Sequence, residues 1–152
     1  MQIYNIKEKP EFLKEMVYLT IKEWGFLPKD KGELENKITA KIDKIKSRLH
    51  ENDYCHLILI EENNLIGFIS IFPHDSKERP NLTPWYATMY VKAEYRKKGY
   101  SKILNEAILK EAQKRNIKKL YLKTDLKNYY EKFGAKFLEK INKNEKIYYF
   151  DI

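Results

Sequence analysis

Residues 84–115 limit the possible folds more tightly than any other stretch of this chain. They open with an apolar, aromatic and β-branched run, Pro84-Trp85-Tyr86-Ala87-Thr88-Met89-Tyr90-Val91. Lys92-Ala93-Glu94-Tyr95 leads into a basic turn with one glycine, Arg96-Lys97-Lys98-Gly99-Tyr100-Ser101. A helical run to Arg115 follows, with Ile103, Leu104, Ala107, Ile108 and Ala112 on one face of the helical period. Strand, basic turn and helix start together make a geometry suited to phosphate. The first N–H groups of a helix have no internal partner, and the helix dipole adds partial positive charge there. Gly99 lets the backbone approach an anion or take φ > 0, while Arg96, Lys97, Lys98 and Lys102 bring full charges. The segment is not a P-loop, because no G-x-x-x-x-G-K-[ST] is present. It is not a dinucleotide fingerprint either, because G-x-G-x-x-G is absent.

Arg96-x-x-Gly99-x-Ser101 after a strand ending in Val91 resembles the acyl-CoA pyrophosphate loop of the GCN5-related N-acetyltransferases, the GNAT family, whose pattern is Q/R-x-x-G-x-G/A. Ser101 stands where Gly or Ala is usual. Downstream, Asn128-Tyr129-Tyr130-Glu131-Lys132-Phe133-Gly134 resembles that family's short helix ending in Y-E-K-x-G-F, with Ala135 in place of the aromatic. The resemblance implies an α/β (α+β) fold: a mixed, mostly antiparallel sheet of about six to seven strands flanked by about four helices. The sheet would splay between its two central parallel strands. It also implies acetyl-CoA as cosubstrate and a primary amine as acceptor, attacked directly in a ternary complex. In this reading Arg96, Lys97, Lys98, Gly99, Tyr100, Ser101 and Lys102 hold the phosphates. The backbone of Met89 and Val91 pairs with the pantetheine arm, Asn128 contacts CoA, and Tyr130 donates a proton to the leaving sulfur. Trp24, Phe26 and Trp85 are the acceptor-side residues.

Composition narrows the classes that remain. The chain has 152 residues, 43% of them hydrophobic and 34% charged, which fits one globular domain spanning 1–152 with a real core. No apolar run is long enough for a membrane-spanning helix. The N-terminus lacks a basic start followed by an apolar stretch, so no signal peptide is read there. The single cysteine, Cys55, excludes an internal disulfide, and a reducing, cytoplasmic setting is expected. Cys55 lies in an apolar run and reads as a core residue rather than a nucleophile. His50, His56 and His74 lack metal-ligand spacing, so no metal is expected. The net charge of +8 is spread along the chain, which reads as a lysine-rich solvated surface. A nucleic-acid binder has no recognisable motif here; a non-catalytic acyl-CoA sensor is the other alternative. The resemblance implies a small-molecule or protein amine as acceptor, no nucleic-acid or membrane partner is expected, and a homodimer is left open.

In chain order, Gln2–Ile6 reads as a short edge strand. Pro10 opens a helix whose stripe runs Phe12, Leu13, Met16, Val17, Thr20, Ile21 and Trp24. Trp24 has two readings, completion of that stripe or the acceptor wall. Gly25–Gly32 is a loop, and a second helix runs from about Glu33 to Leu49. Tyr54–Ile60 and Leu65–Phe72 are strands joined by a turn at Glu61–Asn64. Gly67 inside the second strand signals a bulge or a close approach. Pro73–Pro80 is a polar loop in which Asp75 or Glu78 could serve as a base, as could Glu23; no base is assigned. Asn116 stops the long helix, and Lys119–Lys123 is the partner strand. Thr124 or Asp125 caps a short helix at Lys127–Phe133. In such a one-turn helix Tyr129 and Tyr130 point about 100° apart, so only one of them is expected to face the cleft. Phe137–Lys140 and Lys146–Ile152 close the sheet around an Asn142-Lys143-Asn144 turn.

Overall fold

A computed structural model describes all residues, 1–152. Strands β1 (Gln2–Asn5), β2 (Cys55–Glu61), β3 (Asn64–Phe72), β4 (Trp85–Val91), β5 (Lys119–Thr124), β6 (Lys136–Lys140) and β7 (Lys146–Asp151) form one sheet. Their spatial order is β1-β2-β3-β4-β5-β7-β6. Every neighbouring pair is antiparallel except β4–β5, which is parallel. The expected mixed sheet with two parallel central strands is therefore present, with seven strands.

Helices α1 (Leu13–Trp24), α2 (Lys31–Arg48) and α3 (Tyr100–Lys114) flank it. There are three α-helices rather than four. The segment expected as a short helix over 127–133 forms only a 3₁₀ turn, Tyr130–Phe133. Leu126 N–H donates to Thr124 Oγ1 at 3.0 Å, so Thr124 closes a turn instead of capping a helix. Pro10 also opens a 3₁₀ turn, Pro10–Phe12, and α1 proper begins at Leu13.

Both faces of β2 and β3 are covered, which explains why their sequences are nearly continuous in apolar residues. Alternate residues supply two cores. Leu57, Leu59, Ile69 and Ile71 pack with Leu104, Ile108 and Ala112 of α3. Ile58, Ile60, Leu65 and Phe68 pack with Leu13 and Met16 of α1 and with Ile6. The apolar stripe of α1 ends at Ile21, because Trp24 is 52% exposed.

The connections follow their local chemistry. Glu62 and Asn63, with φ of 51° and 62°, form the two-residue β2–β3 turn. Two consecutive positive φ values match the twist of the flanking strands. Helix α3 stops at Asn116 (φ 60°), with Ile117 N–H bonded to Ala112 O and Asn116 N–H to Gln113 O. That pairing is a Schellman closure, with Asn tolerated in the left-handed position. No helix is long and apolar enough to cross a membrane.

Candidate active site

The site begins at an irregularity in β4. Phe68 pairs with Tyr90 and Ser70 with Ala87, so Thr88 and Met89 together oppose Ile69 alone. This is a β-bulge. Thr88 takes φ 49°, an uncommon conformation for a β-branched residue. Gly67, opposite Val91, is needed here. A Cβ at Gly67 would sit 2.3 Å from Tyr90 O.

Beyond the bulge β4 leaves β5. The two strands share one ladder pair, Trp85 with Tyr121, beside a bond from Tyr121 N–H to Pro84 O. Lys92 N–H bonds to Ile66 O on β3. Main-chain groups alternate in direction along a strand, so those of Met89 and Val91 face the opposite side, into the gap. Val91 O there accepts from Arg96 Nε at 2.8 Å. This is the expected splay, and Met89 and Val91 lie along it.

The gap widens into a groove of about 970 Å³. Its floor is Met89, Tyr90 and Val91. Arg96, Lys97, Gly99, Tyr100, Ser101 and Lys102 line it from the segment after β4, and Leu126, Tyr129, Tyr130, Lys132 and Phe133 from the segment after β5. Lys97 (φ 62°) and Gly99 (φ 83°) are both left-handed, which turns the loop back on itself ahead of α3. Gly99 is the N-cap residue, and no side chain caps the helix. The free N–H groups of the first turn, the helix dipole and three neighbouring cations therefore act at one point. A Cβ at Gly99 would meet nothing within 4 Å, so this side of the groove is open.

Tyr130 is half-buried, and its ring sits edge-on to Tyr86 at 5.8 Å and to Tyr129 at 4.9 Å. Burial pushes its phenol up to about 12, with the neighbouring Tyr129 and Asp125 adding to the effect. It therefore remains an O–H donor throughout the physiological range. Both tyrosines line the groove, contrary to the expectation that only one would. The reason is that Tyr129 precedes the 3₁₀ turn, so the angular spacing within one helix does not apply to the pair.

Other site expectations come out differently. Trp85 is completely buried, donating Nε1–H to Leu82 O at 2.7 Å and packing on Tyr121. It offers no surface to an acceptor. Asn128 and Lys98 are exposed and lie outside the groove lining. Trp24 sits edge-on to Tyr90 at 6.2 Å, beside the groove floor, and Phe26 is 74% exposed on the α1–α2 loop. Glu23 lines the groove, whereas Asp75 and Glu78 line a separate polar hollow with Lys123. Sequence reasoning missed Tyr90, Tyr95, Tyr129, Lys132 and Phe133 as lining residues. All five lie within or beside the two motifs, so widening each motif to its flanking aromatics would have found them.

The sequence profile of the acetyltransferase (GNAT) family matches residues 13–135. No curated relative matches in sequence. Among solved structures, an aminoglycoside 6'-N-acetyltransferase complexed with coenzyme A aligns at TM-score 0.67 and 16% identity, over 98% of this chain and 94% of that one. The aminoglycoside 6'-N-acetyltransferase from Enterococcus faecium aligns at 0.69 and 16%, over 99% and 97%. The ribosomal-protein-alanine N-acetyltransferase from Brucella melitensis aligns at 0.67 and 14%, over all of both chains. At these identities the structural matches speak for the fold. The profile match covers most of the chain, including the splayed strands, the uncapped helix start and the tyrosine-lined side of the groove, and on that ground this protein belongs to the GNAT acetyltransferase family.

Proposed function

We propose that this protein transfers an acetyl group from acetyl-CoA to a primary amine by direct attack in a ternary complex. One observation carries the reading. A single groove is lined by the uncapped start of α3, by Met89 and Val91 and by Tyr130. Those are the partners that a pyrophosphate, a pantetheine arm and a thioester need within one site.

The residues divide the work. The first-turn N–H groups of α3, with Arg96, Lys97 and Lys102, bind phosphate charge. The main chain of Met89 and Val91 supplies strand-like partners to the amides of the arm. A β4 N–H donates to the thioester oxygen as negative charge builds there. The amine nitrogen forms the new C–N bond while the C–S bond breaks. The ammonium so formed loses one proton to solvent, and the departing sulfur gains one. Tyr130 O–H donates to that sulfur as the bond lengthens. No activated protein nucleophile lines the groove, which favours direct transfer over a covalent intermediate.

The test is calorimetric titration with acetyl-CoA, wild type beside Gly99→Glu, both checked for folding by circular dichroism. Micromolar binding lost in the variant, followed by thiol release with an amine panel, is the expected result. No binding by the wild type would overturn the reading.

A further inference from the structure

A second cavity opens on the α1–α2 face of the sheet, and its chemistry bears on the acceptor. It has a volume of about 300 Å³ and lies between α1, α2 and strands β2–β4. Thr88 forms part of its floor, while the next residue of the same bulge, Met89, forms the floor of the groove. The two spaces therefore adjoin one point of β4. On the acyl-transfer reading that point is where the acetyl carbon lies.

The charge of this cavity has one sign. Lys41, Lys44 and Arg48 line it from one face of α2, His74 lies at its edge, and no carboxylate is among its walls. Arg48 is held by Glu51 through Nε and Nη2, both at 3.0 Å. Lys41 and Lys44 form no salt bridge. The floor is a built polar surface. Thr88 Oγ1 donates to Ser70 Oγ at 2.7 Å, Ser70 Oγ contacts His56 Nδ1 at 2.8 Å, and His56 Nε2 contacts Tyr54 Oη at 3.0 Å. His56 is only 6% exposed yet lines the cavity. Two free ammonium groups over a hydroxyl and imidazole floor recognise an anionic group with polar edges. A polycationic amine meets repulsion there instead.

We infer that the acceptor is a small amine carrying a carboxylate or phosphate, and that this cavity seats the anionic group beside the β4 bulge. The inference rests on the acetyltransferase reading and narrows it to one substrate class. The volume suits a single amino acid or an amine of similar size.

Two measurements test it. In the first, acetyl-CoA-dependent thiol release is compared for glutamate, O-phosphoethanolamine, ethanolamine and putrescine. The expected result is kcat/KM about tenfold or more higher for the anionic amines. Lys41→Glu/Lys44→Glu should abolish that preference by raising KM while acetyl-CoA still binds. Glutamate and O-phosphoethanolamine separate the carboxylate source from the phosphate source. An equal or greater rate with putrescine, or a preference unchanged in the double variant, overturns the inference and leaves the acetyltransferase reading standing.

The second measurement needs no turnover. Histidine side-chain NMR spectra are followed while acetate, then inorganic phosphate, is titrated in. The His56 and His74 signals should shift saturably in the wild type and not in the double variant. A wild type with no saturable shift overturns the anion site even if no amine is acetylated. Failure of acetyl-CoA to bind strikes the parent reading instead.

Discussion

Thr88 and Ser70 are joined by a hydroxyl–hydroxyl bond of 2.7 Å that spans the bulge between β4 and β3. It holds a β-branched residue at φ 49°, a conformation that costs about 1–2 kcal/mol on its own. Ser70 is fully buried and reaches His56 on its other side. The β4 backbone beside the groove floor is thus anchored through a chain of buried side chains.

Thr88→Val keeps the shape of the side chain and removes the bond. It should lower stability by about 1–2 kcal/mol. It should also lower kcat more than it raises KM for acetyl-CoA, because the bulge is no longer held. Ser70→Ala strands two partners and should cost more. Denaturant melts together with steady-state kinetics read both. A Thr88→Val enzyme with unchanged kcat would show that the anchor serves stability alone.

Gly67→Ala forces a Cβ to within 2.3 Å of Tyr90 O. The obstacle is backbone, which cannot rotate aside, so β4 must shift. The expected loss is about 2–3 kcal/mol, with weaker acetyl-CoA binding because Tyr90 lines the groove. Gly99→Ala is the contrast. Its Cβ meets open space, so only the left-handed φ of 83° opposes it. That should cost about 1 kcal/mol, a difference that thermal melts will resolve.

His56 should produce an acid limb in stability. Burial holds its imidazole neutral and lowers its pKa from 6.5 to about 4. The unfolded chain therefore binds a proton between those values that the folded protein refuses. Stability is present above pH 6.5 and is lost as pH falls towards 4, at a slope approaching about 1.4 kcal/mol per pH unit. His56→Gln keeps a polar group without a titrating ring and should flatten that limb. Denaturant midpoints measured from pH 7 to pH 4 check it.

Tyr130→Phe should lower kcat about 10- to 100-fold and leave acetyl-CoA affinity within about twofold of wild type. With its pKa near 12, Tyr130 remains protonated across the working range. The variant should therefore keep the wild-type pH–rate profile below about pH 10 while losing rate. A shifted profile would place another titrating group at the sulfur.

Much of this architecture was readable in the linear chain because it is written in local chemistry. The period of α3, the Glu62-Asn63 turn and the Asn116 stop each follow from a few adjacent residues. The basic side of the groove is local as well, since one loop and the helix it starts supply it. The boundary errors have a physical origin too. Pro10 and Tyr130 begin turns too short to become α-helix, and propensity does not set length.

What the sequence could not show depends on contacts between distant segments. Trp85 looked like an acceptor-side aromatic but is buried, because the distant strand β5 brings Tyr121 against it. Thr88 gave no sign of its left-handed backbone, since only pairing with β3 puts two residues opposite Ile69. The chain Thr88–Ser70–His56–Tyr54 joins β4, β3 and β2 to the residue just before β2, and the cation-lined cavity exists only once α2 lies over them. Periodicity and turn chemistry are properties of neighbours in sequence, so the sequence by itself determines the elements and the basic loop ahead of α3. Register, burial and local field arise from neighbours in space, so only the tertiary structure decides which residues line the groove and the cavity beside it.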